Sequence, residues 1–194
     1  TLTETYHQDL ERRLEVAREI GDDARIISTE EARQLVPLLD PPSDCRIMLM
    51  PRDGWVEPKS VAVAYAAAAA DRGVHFHTGV AGVTTPQGTI EANWVVLAAG
   101  AWSRQLSQPL GINLRSVPVR HQAFVTAPLA QARPDQPIVR VTEPQFYVRP
   151  EAGGLLVGGY GYRPLSFDMD EFDDGFEIAS LEADQVYYEQ LQAA

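Results

Sequence analysis

Apolar residues recur at helical spacing near the start of the chain. Tyr6, Leu10, Leu14 and Ala17 share one face, and Gly21 stands where a left-handed C-terminal cap belongs. "ARII" then reads as a short strand. "STEEARQLV" places Glu31 three residues after Ser28, a capping box that opens a second helix ending before Pro37. "CRIMLM" reads as a strand and "PRDGW" as the turn after it. Pro58 suits the first position of a helix running to about Arg72, where Gly73 stops it, and "VHFH" follows as a strand.

The strand "WVVLAA" is apolar without interruption, which predicts burial on both faces in a parallel sheet with helices above and below. Residues 115–160 change character. "RSVPVRHQAFVTA", "IVRV", "QFYVR" and "GLLVGGY" alternate or run apolar between Pro- and Gly-rich turns with no helix among them, which predicts an antiparallel sheet. The glycines of "GGLLVGGY" read as hairpin turns, because a phosphate loop would need a lysine and a following Ser or Thr. "EIASLEADQVYYEQLQAA" closes the chain as a helix. The fold class is therefore mixed α/β, a helix-and-parallel-strand region interleaved with an antiparallel sheet, and no internal repeat is visible.

Composition narrows the function classes. The net charge is −11, but nine of the 27 acidic residues lie between Phe167 and Ala194, leaving 18 acids against 16 bases elsewhere. No basic field gathers nucleic acid, and the acidic end reads as a solvated helix face or a docking surface. Cys45 is the single cysteine, so no internal disulfide and no CxxC pair exists. The longest small-apolar run, "VAVAYAAAAA", is too short to span a bilayer. A cytoplasmic location is the default expectation, with a homo-oligomer left open. His75 and His77 share a strand face without a third ligand near them in sequence, so no metal site is expected.

Four stretches carry a family resemblance in order: "DGWVEP" before an Ala-rich helix, "DRGVHFHTGV", "GTIEANWVVLAAGAWS", and "VPVRHQAFV" with "QFYVRPEAGGLLVGGY". Together they resemble the FAD-dependent amine oxidoreductases of the D-amino-acid oxidase superfamily, in the branch that oxidises sarcosine, dimethylglycine and glycine. The resemblance implies a Rossmann-like FAD-binding domain, of which 58–111 is a part. It implies a substrate domain from 1–57 and 112–172, and 173–194 forms the acidic terminal helix. It also implies FAD as cofactor and a small amine or amino acid as substrate, oxidised at a C–N bond. Val80 would meet the adenine, and Ala99, Gly100, Ala101 and Trp102 would line the adenosine and pyrophosphate end. Tyr147 would face the substrate over the flavin. Arg149, two residues on and so on the same strand face, would pair with a substrate carboxylate. His121 would hydrogen-bond the substrate. Each has a plainer reading beside it: a half-buried strand aromatic, a surface arginine, a structural histidine.

The sequence departs from the family pattern in three places. No G-x-G-x-x-G follows an opening strand, so the chain reads as a central piece of a longer enzyme, with feeble FAD affinity when alone. The stretch between "HFHTG" and "GTIEA" is shorter than the hairpin the family implies. Val157, within a residue or so, stands where some sarcosine-oxidising relatives place an oxygen-activating lysine, which tilts the reading toward a dehydrogenase. Two rivals remain: a non-catalytic subunit that docks a partner, and a ring hydroxylase needing NAD(P)H.

Overall fold

The apolar spacing at the start of the chain closes as expected. A computed structural model of the protein describes residues 1, 3–77, 84–85, 88–143, 145–160, 165–173 and 175–193. Its elements in chain order are α1 (Glu4–Glu19), β1 (Arg25–Ile27), α2 (Thr29–Leu35), β2 (Ile47–Leu49), α3 (Pro58–Ala70), β3 (Thr84–Thr85), β4 (Gly88–Thr89), α4 (Ser103–Ser107), β5 (Val119–Arg120), β6 (Ala123–Val125), β7 (Val139–Val141), β8 (Phe146–Glu151), β9 (Gly154–Gly159), β10 (Leu165–Ser166) and α5 (Gln185–Ala193). They fall into two units: residues 1–55, 121–164 and 182–194, and residues 56–120 and 165–181.

In the first unit, Leu10, Leu14 and Ala17 of α1 are buried. Leu14 and Ala17 pack with Ala24, and the half-covered Met48 and Met50 close over them. Each buried leucine contributes about 1.5–3 kcal/mol relative to exposure. Gly21, at φ 75, takes the left-handed cap that lets the chain turn into β1. β1 pairs antiparallel with β2, Ile26 opposite Met48. Ser28 caps α2 by accepting from the Glu31 backbone N–H at 3.1 Å. The capping box is half of the expected one, because the Glu31 carboxylate binds the Arg25 guanidinium instead.

The rest of this unit is a four-stranded antiparallel sheet in the order β6-β9-β8-β7, with α5 on one face. α5 reaches that face through Phe124 and Tyr188, whose rings meet edge to face at 5.0 Å. Gln122 exchanges two hydrogen bonds with the backbone of Asp184, at 3.0 and 2.8 Å. The buried Tyr187 hydroxyl donates to the Gly159 carbonyl. The hairpin reading of the "GGLLVGGY" glycines holds at Gly153, at φ 79, but not at Gly158 and Gly159. These two lie inside β9, where a Cβ on Gly159 would stand 2.8 Å from Leu191 Cδ2 and 3.2 Å from the Gln145 carbonyl oxygen. The closing helix is shorter than its acidic, apolar-periodic sequence suggests: residues 178–180 form one 3₁₀ turn and the α-helix starts at Gln185. Asp184 stands just before it, its carboxylate accepting from the Tyr187 N–H at 3.2 Å.

In the second unit, α3 runs as its sequence predicts. Glu57 caps it, accepting from the Ser60 N–H at 2.9 Å, which lowers the glutamate's pKa. The expected strands "VHFH" and "WVVLAA" are corrected: neither joins a sheet, and every strand pairing among the described residues is antiparallel. A strand needs at least one hydrogen-bonding neighbour, and no strand pairing among the described residues includes residues 94–99. Val95 and Val96 are accordingly exposed. The segment 165–181 returns to the unit through Met169, which is buried and whose carbonyl accepts from Gln105 Nε2 at 2.7 Å. No helix among the described residues is long and apolar enough to cross a membrane.

Candidate functional site

Period-two alternation in the four-stranded sheet divides its side chains between two faces. Register fixes which are which: Tyr147 lies opposite Arg140 on one side and Gly158 on the other, and Gly158 lies opposite Ala123. Phe124, Val148 and Val157 belong to the other face, the one α5 partly covers. Val157, the position matched to an oxygen-activating lysine, is thus turned away from Tyr147. His121 and Tyr160 stand two residues beyond Ala123 and Gly158, and Arg149 two beyond Tyr147, so all three join the Tyr147 face.

On that face the side chains converge. The rings of Tyr147 and Tyr160 lie 6.0 Å apart, tilted by 47°. The His121 imidazole meets Tyr160 edge to face at 5.6 Å. The Arg140 guanidinium sits over the Tyr160 ring, 5.5 Å from its centre. Gly158 makes this possible: a Cβ there would be 2.6 Å from the Tyr147 Cζ and hydroxyl, so only a bare strand position lets the phenol lie across β9. Gln145 holds the cluster's edge from an unusual backbone conformation, φ 52, and its carbonyl accepts the Tyr160 N–H at 3.0 Å.

Arg149 is placed on this face but is already engaged. Its guanidinium is bonded to the Glu151 carboxylate and lies 4.2 Å from the centre of the Trp55 ring. Only 15% of its side chain is exposed. A cation with a bonded carboxylate and a covering indole is a stiff structural element, and little of its charge is left for a second anion. Tyr147, His121 and Arg149 are thus brought to one face as sequence alternation implies. Arg140, Tyr160 and Trp55 are the residues that sequence reading passed over. Arg140 and Tyr160 reach the cluster by strand register, and the signals for them were present as an arginine within "IVRV" and a tyrosine ending "GLLVGGY".

The second unit holds the other candidate residues. The bend after Leu97 is a 3₁₀ turn, Gly100–Trp102, leading into α4. Gly100 takes φ +56, a conformation that disfavours any side chain, and a Cβ built there meets nothing within 4 Å. Ala99 and Ala101 are half-buried and Trp102 is exposed. Among the described residues the bend is therefore open around Gly100. Val80 lies outside the described residues.

Comparison with known proteins bears on both units. The family model described as "FAD dependent oxidoreductase" (DAO) matches residues 1–191. The chain is 33% identical over 150 residues to the mitochondrial dimethylglycine dehydrogenase of Rattus norvegicus, an alignment covering 70% of this chain and 18% of that protein. It is 29% identical over 189 residues to the mitochondrial pyruvate dehydrogenase phosphatase regulatory subunit of Mus musculus, covering 89% of this chain and 21% of that protein. The crystal structure of glycine oxidase from Geobacillus kaustophilus superposes with a TM-score of 0.65 at 30% identity, covering 86% of this chain and 47% of that one. The chain thus spans about a fifth of the length of the dehydrogenase and about half that of the glycine oxidase.

Proposed function

Because this chain belongs to the DAO family of FAD dependent oxidoreductases, we propose that the protein carrying it oxidises the C–N bond of a small amino acid or an N-methylated glycine. The observation that carries the reading is the convergence of Tyr147, Tyr160 and His121 on the sheet face that α5 leaves open. When bound, FAD supplies the two-electron acceptor for the hydride equivalent leaving the amine's α-carbon. In this reading Ala99, Gly100, Ala101 and Trp102 line its adenosine and pyrophosphate half, with Val80 near the adenine.

The chain's own residues orient and shield the substrate. The Tyr147 hydroxyl and the His121 imidazole offer hydrogen bonds to the substrate's polar end. The aromatic faces of Tyr147 and Tyr160 favour an ammonium or its methyl groups and keep water from them. Arg149, held by Glu151 and Trp55, stiffens β8 beneath Tyr147. Water then hydrolyses the imine product to a carbonyl compound and the shortened amine.

The test is anaerobic addition of sarcosine, dimethylglycine or glycine to the purified full-length protein. Loss of the flavin's visible absorbance with one of them is expected, and Tyr147→Phe should slow that loss by about 10- to 1000-fold, the range for a positioned polar group. A full-length protein whose bound flavin is reduced by none of the three rules the reading out. The similarity to a regulatory subunit favours one second reading, a non-catalytic scaffold. A stable oligomer or partner complex indifferent to FAD would support it.

A further inference from the structure

Two glycines of β9 differ in what a side chain there would meet. A Cβ on Gly154 would stand 2.6 Å from Thr126 Oγ1 and 2.7 and 2.8 Å from two backbone carbonyl oxygens, which cannot step aside. A Cβ on Gly158 would stand 2.6 Å from Cζ and from the hydroxyl oxygen of Tyr147, and 3.1 Å from its Cε1. All three of those atoms belong to the outer part of one side chain. Neither glycine has a positive φ, so backbone conformation demands glycine at neither position.

Gly158 is buried on the open face of the sheet, with the Tyr147 phenol lying across it. The next position in that row is Ala123 on β6, which adds only a methyl group. Among the described residues no hydrogen bond holds the Tyr147 hydroxyl, so packing sets where it stands. Carbon atoms in contact settle about 3.5–4.0 Å apart, so a methyl group at 158 would push the end of the ring away by about 1 Å. The half-buried ring has room to swing outward, and the strand beneath it need not move. A misplacement of about 1 Å at a group that orients a reactant costs on the order of 100-fold in rate. We propose that Gly158 is a positioning residue: its missing side chain sets the height of the Tyr147 hydroxyl above the sheet and so the alignment of the substrate. The inference rests on the substrate-site reading above.

The experiment uses the full-length holoenzyme and whichever of sarcosine, dimethylglycine and glycine reduces its flavin. It compares Gly158→Ala, Tyr147→Phe and their double variant by the limiting rate of anaerobic flavin reduction. Gly158→Ala should slow that rate about 10- to 100-fold, and the double variant should be no slower than the slower single one. Thermal melting supplies a readout independent of turnover: the alanine should cost less stability in a Tyr147→Leu background, where the ring it meets is gone, than in the wild-type protein. If Tyr147→Phe slows reduction and Gly158→Ala does not, the face is the site and Gly158 does not position its tyrosine. Losses that multiply in the double variant, or an alanine cost unchanged by Tyr147→Leu, would also overturn the assignment, because Gly158 would then act through something other than Tyr147. If Tyr147→Phe leaves the rate unchanged, or none of the three compounds reduces the flavin, the site reading and the positioning role fall together.

Discussion

Leu14 in the first unit and Val96 in the second both belong to strongly patterned apolar stretches, yet Leu14 is 7% exposed and Val96 87%. The same division runs through the two units. Leu10, Ala24, Ile27 and Val36 are buried in the first, whereas Met169 is the buried apolar residue of the second among those described. Their patterns ask for different things. An amphipathic helix needs one covering surface, which a three-residue strand pair and two methionines provide for α1. An unbroken apolar run needs hydrogen-bonding strands at both edges and a layer on each face, and the described residues of the second unit supply neither. An apolar run states a requirement for burial, and the neighbours that meet it must come from elsewhere than the described residues of this unit.

The sharpest break of this comparison is Leu14→Ala beside Val96→Ala. Removing the leucine leaves a cavity under Met48 and Met50 and should cost about 2–5 kcal/mol in urea unfolding, while the valine change stays within about 0.5 kcal/mol. Equal losses would show that residues 94–99 are as buried in solution as α1. Gly154→Ala tests whether the sheet of the first unit is as close-packed as its register implies. A Cβ there stands 2.7 Å from the Ala127 carbonyl and 2.8 Å from the Thr126 carbonyl, and backbone cannot step aside. A loss of about 1–3 kcal/mol is expected by thermal melting, and an unchanged melting temperature would contradict the packing.

The smallest effect is electrostatic. The Arg25 guanidinium holds the Glu31 carboxyl below the ordinary glutamate range. A carboxyl whose pKa is lower folded than unfolded adds stability above its ordinary value and loses it as pH falls through the lowered one. Glu31→Gln should therefore flatten, slightly, the decline of the unfolding midpoint on acidification. An identical acid profile would mean the exposed pair is screened away.

Much of the first unit was legible in the sequence because its signals are local. Period-3.6 spacing located α1, Ser28 and Glu31 located α2, and alternation located the strands carrying Tyr147. The family resemblance, now borne out by the match across residues 1–191, carried the cofactor. What alternation could not provide was pairing. Arg140 and Tyr160 are seven and thirteen residues from Tyr147, and they reach it only because β7 and β9 flank β8 in a particular register. The role of Gly158 was hidden for the same reason, since a glycine in a strand looks like a turn until the ring across from it is known.

By itself, then, the sequence determined the helices with their caps, the antiparallel character of residues 115–160, and the small residues of the Ala99–Trp102 bend, since each depends on neighbours a few positions away. Tertiary structure decided which arginine is matched by a carboxylate, and which apolar stretches are covered among the described residues. Those outcomes depend on what stands beside a residue in space, and chain order constrains that only through the pairing of strands.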